Sequence, residues 1–299
     1  MKPIWNEWYS FLETHYRFLK AIHGLLFSVA PKFTTISQLN QLLVPSLVLE
    51  ETWKEKAVAK DAGLVDEARR HLQNAWFNEC ALRYPMGDDL LSERMRFAPW
   101  RISQFYYTIY SGISSMVRFV NSKPMPSHTT TLNFFVSAIA ADERLRTKLF
   151  PIPLGFILKE GGLIPDSDHV HLRRRAPGKL RDLRECLEST RHALDMKQQV
   201  GVVHYFRWLR EWANYRAGYI FANLYGPRIR EVVDGSLAAI SNCFMAATER
   251  FAISFLGIDE FAAIYGNFRA MVIANLRFEP DFSLPMDERV EMVSRIASV

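Results

Sequence analysis

Four residues in one stretch offer the chain's most direct chemistry. His204, Arg207, Arg210 and Asn214 follow one another by three, three and four positions, so a helix would project them from adjoining parts of one face. An imidazole exchanges a proton near neutral pH, and guanidinium groups hold a phosphate and stabilise the charge of a phosphorane-like transition state. Metal-free RNA cleavage needs that combination. For each residue the alternative is structural: an aromatic, partly buried helix whose arginines pair with acids elsewhere.

A second set of candidates is cationic. The chain carries +5 overall, but His169 to Arg230 contains thirteen Lys or Arg against five Asp or Glu, a balance of +8 that leaves −3 on the remainder. Arginine outnumbers lysine by 26 to 11, and guanidinium is the better group for bidentate phosphate contacts and for stacking on aromatic rings. This asymmetry points to RNA or another polyanion as partner. Arg173, Arg174 and Arg175 form a run that would contact phosphate, and Arg207 of the helical set would do the same. The competing reading is a solvated, ion-paired helical surface.

Two further cations belong to the stretch from Trp100 to Val120, which presents two faces. Ile102, Phe105, Ile109, Ile113, Met116 and Val120 make an apolar stripe, while Arg101, Gln104, Thr108, Ser111, Ser115 and Arg118 repeat at the same spacing beside it. The second stripe would line a polar cleft, with Arg101 and Arg118 as phosphate contacts. The first is predicted to pack against Val233, Leu237, Ile240 and Phe244.

Other chemistries lack their signatures. No Walker loop, dinucleotide-binding glycine pattern, nucleophile elbow or His-Glu-x-x-His run occurs, so no cofactor is expected. Asp166, Asp168, His169 and His171 gather oxygen and nitrogen ligands, yet their spacing matches no defined metal site, and none is assigned. Cys80, Cys186 and Cys243 are odd in number and far apart, as expected of reduced core thiols. Apolar runs such as Gly24 to Ala30 are too short to span a bilayer, and no secretion signal is present. The expectation is a cytoplasmic protein without a membrane partner.

Positioning these residues falls to helices. Apolar residues repeat at the helical period almost throughout, and no run of alternating β-branched residues appears, which predicts an all-α helical bundle. Predicted helices cover Ile4 to Leu26, part of Leu47 to Leu82 with a break at Ala62-Gly63, Pro99 to Val120, Thr129 to Ala141, Leu180 to Gln198, Val202 to Leu224, Ile229 to Leu256, Ile258 to Leu276 and Met286 to Ala297. Seven Pro and Gly residues between Phe150 and Pro177 predict a long irregular connection. The resulting division is an N-terminal helical extension (1–97), a helical bundle (98–256) carrying the insertion 150–177, and C-terminal helices (257–299) packed on the bundle.

Phe105-Tyr-Tyr-Thr-Ile-Tyr-Ser-Gly-Ile-Ser-Ser-Met-Val117, followed by His128-Thr-Thr-Thr-Leu-Asn-Phe-Phe135, resembles the paired helices of the HEPN (higher eukaryotes and prokaryotes nucleotide-binding) superfamily. Arg210-Glu-Trp-Ala-Asn214-Tyr215 is similar to the Arg-x-x-Ala-Asp-Tyr segment of several members, and Glu231 to Phe255 would be the closing helix. Length and N-terminal extension resemble the YaaC-like branch. The resemblance, which covers about half of the chain, implies a four-helix up-and-down core, often dimeric. In many members that bundle cleaves RNA without metal, as a toxin or defence effector; others bind nucleotides, RNA or proteins.

The chain departs from the family pattern in three ways. Asn214 stands where many relatives have Asp, the connection from Phe135 to Arg210 is long, and the Arg-x4–6-His pattern is missing from the helix that should hold it. One such match exists, Arg17 to His23, and chance yields roughly two in a chain of this composition. A ribonuclease site would therefore be assembled from Arg210, Asn214 and His204, with His128 brought alongside. Two functions from different classes follow: a HEPN-like RNA-binding protein or metal-independent ribonuclease, and a non-catalytic helical adaptor or regulatory subunit. Nucleotide binding without turnover is a third.

Overall fold

A computed structural model of the chain describes residues 62–83, 98–142, 145, 146, 149, 150, 154–159, 162–165, 199–215, 227–276 and 283–297. The helices predicted for Ile4 to Leu26 and Leu180 to Gln198, the Arg17 to His23 match, the Asp166 to His171 segment, Cys186 and the Arg173-Arg174-Arg175 run lie outside these residues.

The class is all-α, as the 3.6-residue period predicts. In chain order the helices are α1 (Ala62–Arg83), α2 (Ala98–Val120), α3 (His128–Phe134), α4 (Val202–Tyr215), α5 (Pro227–Leu256), α6 (Ile258–Leu276) and α7 (Asp287–Ala297). Local chemistry sets their ends. The Ser127 hydroxyl accepts from the Thr130 N–H at 3.2 Å and caps α3, which then widens into a π-helical stretch over Phe135–Ala140. Between α5 and α6, Gly257 sits at φ 82°, the left-handed conformation that ends a helix and that glycine adopts without a Cβ penalty.

The connection read as irregular contains β-structure. Strands β1 (Gly155–Lys159) and β2 (Gly162–Pro165) form an antiparallel hairpin, and β3 (Gln199–Gly201) pairs antiparallel with the other edge of β1, giving the order β2-β1-β3. Register runs from Phe156 opposite Pro165 to Lys159 opposite Gly162. Strands of three to five residues are too short for a two-residue period to stand out among prolines and glycines.

Packing separates the described residues into two units. One contains α2 through Tyr106, the sheet, α4, and α5 through Ile240; the other contains α1, α2 from Tyr107, α3, α5 from Ser241, α6 and α7. In the first, Ile102, Phe105, Tyr106, Val203, Phe206, Ala213, Leu237 and Ile240 are buried, and Phe105 meets Phe206 edge to face at 4.6 Å.

The second unit has a larger core. Trp76 contacts Phe261, Tyr265 and Phe268 at 5.3–5.7 Å, and Phe119 stacks on Phe255 at 5.3 Å. Ile109, Ile113 and Met116 are buried as the apolar stripe requires. The polar stripe, however, does not line an open cleft: Thr108, Ser111 and Ser115 are buried too, and Ser115 donates to the Ala68 carbonyl at 2.9 Å. Small hydroxyls hydrogen-bond to backbone and so pack like alanine, which lets α2 bury both stripes.

Inside this core lies a buried ionic network. Arg289 on α7, with no exposed surface, bonds Glu79 of α1 and Glu249 of α5; Arg83 adds an ion pair to Glu79 at 3.2 Å. Asn242 accepts from both Arg289, at 2.6 Å, and Arg83, at 3.1 Å, while the Trp76 indole N–H donates to Glu249 at 2.9 Å. Two cations and two carboxylates therefore share one set of hydrogen bonds, which satisfies charges that would otherwise be prohibitive to bury.

Candidate functional site

Helix α4 carries the residues singled out for phosphate chemistry, in the unit that also holds the start of α2. Its apolar positions Val203, Phe206 and Ala213 are buried, which fixes the rotation of the helix and of the polar positions between them. Arg210 is 7% exposed, and its guanidinium lies 5.2 Å from the centre of the Tyr106 ring, a cation–π arrangement. Arg207, half-buried, donates from Nε to Glu211 at 3.0 Å, and an Arg210 terminal nitrogen lies 4.0 Å from the same carboxylate. Glu211 thus sits between the two arginines and offsets part of their charge.

Asn214 is exposed, and its amide is oriented. Ser103 of α2 donates its hydroxyl proton to Asn214 Oδ1, so the amide nitrogen of Asn214 is left as the donor end of the group. One turn before Ser103 stands Trp100, 63% exposed, an aromatic surface on the same helix. Together these residues supply what a nucleic-acid strand recognises: N–H donors for phosphate oxygens, fixed guanidiniums and an exposed ring for a base.

Arg210, Asn214 and Arg207 thus come together on one helix, joined by Tyr106 and Ser103, which the sequence reading did not select as partners. Their only signal was the i, i+3 spacing of Trp100, Ser103 and Tyr106 on α2, and nothing in that spacing points to a helix a hundred positions later. The side chain of His204 lies outside the described residues. Arg101 is half-buried in the same unit.

The remaining candidates belong to the other unit. His128 begins α3, where its ring stacks on Tyr110 at 3.9 Å with an interplanar angle of 10° and meets the edge of Tyr107 at 6.2 Å. Arg118 forms an ion pair with Glu67 and donates to the Lys123 carbonyl at 2.9 Å, a tethered geometry at the end of α2. The same Arg118 charge, after burial as the larger cause, lowers the pKa of His71. Among the described residues, no group of three or more His, Cys, Asp or Glu is placed to hold a metal ion, and no helix is long and apolar enough to cross a membrane.

Compared with known proteins, the chain matches no family model, no curated protein and no solved structure.

Proposed function

We propose that this chain is a HEPN-like helical protein that binds single-stranded RNA through its arginine-rich segment from His169 to Arg230. The observation that carries this reading is the Ser103–Asn214 hydrogen bond, which engages the oxygen of an exposed carboxamide and leaves its N–H groups as the donor end on the helix that holds Arg207 and Arg210. Exposed Trp100 on the partner helix supports it, as does the +8 balance of the segment. Cleavage is the stronger form of the same reading. It adds His204, on the same helix, as the group that takes the ribose 2′-hydroxyl proton, with Arg210 stabilising the charged transition state.

The test is a titration of labelled single-stranded RNA at several salt concentrations with a chelator present, followed by analysis of the RNA for breaks. Affinity should fall linearly with salt on logarithmic axes, and replacing Arg173, Arg174 and Arg175 with alanine should make that line shallower. Breaks formed by the native chain and absent with Arg210→Ala would extend binding to catalysis. No affinity at low salt, or a triple variant with unchanged affinity and slope, overturns the reading and leaves the helical adaptor in its place.

A further inference from the structure

One negative charge sits among the cations of α4, and its place is fixed. Glu211 accepts from Arg207 Nε at 3.0 Å through Oε1, and a terminal nitrogen of Arg210 lies 4.0 Å from the same oxygen. Helical spacing dictates the first contact, because residues four positions apart are neighbours on a helix surface. The second follows from Arg210 being held: it is buried, and its guanidinium lies over the Tyr106 ring.

Two cations and one carboxylate give this set, among the described residues, a single net positive charge. Helix α2 adds none beside it: Trp100, Ser103 and Tyr106 are neutral, and Arg101 stands two positions from Ser103, on a different face. A partly exposed ion pair four positions apart contributes little to the stability of a fold. The carboxylate acts more strongly on any anion that approaches the two arginines.

Phosphates differ in the charge they bring. A phosphodiester within a strand carries one negative charge, whereas a phosphomonoester, as on a free nucleotide, carries about two above its second pKa of about 6. Guanidinium groups hydrogen-bond to the oxygens of either. Glu211 repels each charge that it faces, so it opposes a monoester about twice as strongly as a diester in the same position. Without Glu211, a pair of arginines would favour the doubly charged ligand.

We infer that Glu211 is a specificity-determining residue of the α4 face, one that biases Arg207 and Arg210 toward the singly charged phosphodiester of a strand and against phosphomonoesters. This inference rests on the RNA-binding reading above and names the class of phosphate that the same face takes.

The experiment measures displacement of a fluorescent oligouridylate from the full chain and from Glu211→Gln by two competitors that share a base and a sugar, uridine 5′-monophosphate and its methyl phosphodiester. It is run at about pH 8 and constant ionic strength with a chelator present, where the monoester is doubly charged and an ordinary histidine is neutral. Glutamine keeps an oxygen to accept from Arg207 Nε and removes only the charge. The Glu211 side chain is 39% exposed, so its repulsion takes the value for water, about fivefold in Kd for one like charge near 4 Å. Glu211→Gln should therefore tighten the diester about fivefold and the monoester about 25-fold, which shifts their ratio about fivefold. Arg210→Ala should weaken both competitors. If RNA still binds and the Arg173, Arg174, Arg175 triple alanine variant still weakens it, an unchanged ratio in Glu211→Gln overturns the Glu211 assignment alone, since a role only in positioning Arg207 treats both esters alike. Failure of both esters to displace bound RNA from either protein overturns it too. If the native chain binds no RNA at low salt, both readings fall.

Discussion

Arg289 grips Glu79 with both terminal nitrogens, Nη1 to Oε1 at 2.9 Å and Nη2 to Oε2 at 2.6 Å, across 210 positions of sequence. Its Nε bonds Glu249 at 2.8 Å, so a single planar fork ties α7 to α1 and α5. Removing the guanidinium leaves two carboxylates buried without their main partner. Arg289→Met should therefore destabilise the chain by about 3–5 kcal/mol, the range for breaking a buried pair from one side. Arg289→Lys should recover only part of that loss, because an ammonium cannot span both carboxylates. Denaturant unfolding of the variants measures this, and a midpoint unchanged in Arg289→Met would remove the network from the account of stability.

The network also sets a pH dependence. Burial alone would raise the Glu79 carboxyl, but Arg289 and Arg83 outweigh it and hold its pKa below the ordinary 4.5. A depressed carboxylate contributes stability above its unfolded pKa, and that contribution is lost as pH falls through the folded value. Glu249 runs the other way: burial raises its pKa against the pull of Arg289, so its contribution is present at low pH and is lost as pH rises through the folded value. Between pH 7 and pH 3, Glu79→Gln should flatten the acid loss of stability and Glu249→Gln should steepen it. Equal slopes in both variants and the native chain would refute this assignment.

None of this network was legible in the sequence, whereas the helices were. The apolar stripe of α2 could be read because its members recur within one helix and all need the same thing, removal from water. Ile258 to Leu276 was likewise bounded correctly by its period. Glu79, Glu249 and Arg289 carry no such periodic signal; each is an ordinary charge whose partner sits 40 to 210 positions away. The Arg210 and Asn214 pair was legible from helical spacing, but the groups that orient it, Tyr106 and Ser103, depend on which helix packs there. Strands of three to five residues lay below the length at which a period can be seen.

Close approach of α2 and α5 hinges on Gly112. A Cβ at that position would come within 2.6 Å of Thr248 Oγ1, a hydroxyl already bonded to the Phe244 carbonyl at 2.9 Å. Gly112→Ala should then lose about 1–3 kcal/mol from overpacking, offset in small part by better helix propensity. Thr248→Ala should relieve the clash, so the double variant should be less destabilised than the two single losses added together. Strict additivity in unfolding measurements would show that the two helices do not meet there.

Both described cysteines are buried, and burial pushes each thiol up to about 12. The thiolate is the reactive form, and it is scarce at any ordinary pH when the pKa stands so high. In a Cys186→Ser variant, iodoacetamide at pH 8 should modify neither Cys80 nor Cys243 until denaturant is added. Rapid labelling of the folded Cys186→Ser variant, read by intact mass, would contradict the packing around α1 and α5.

Asn214 offers the sharpest test of the α4 face, because one atom can be exchanged there without altering shape. Asn214→Asp keeps an oxygen to accept the Ser103 proton, so the α2–α4 contact should persist and unfolding should change little. The amide N–H donors, however, become a carboxylate oxygen. If a phosphate sits beside Arg210 and Asn214, the new charge repels it by about 1 kcal/mol at a solvent-exposed separation near 4 Å, which is roughly a fivefold weaker Kd. The loss should shrink as salt screens the repulsion. Arg210→Lys separates charge from geometry: it keeps a cation but loses the guanidinium held over the Tyr106 ring, so its effect on RNA affinity should exceed its effect on the salt slope. Native-like RNA affinity in Asn214→Asp at low salt, with the fold intact, would exclude Asn214 from any phosphate contact and leave Trp100 and the arginines to be tested without it.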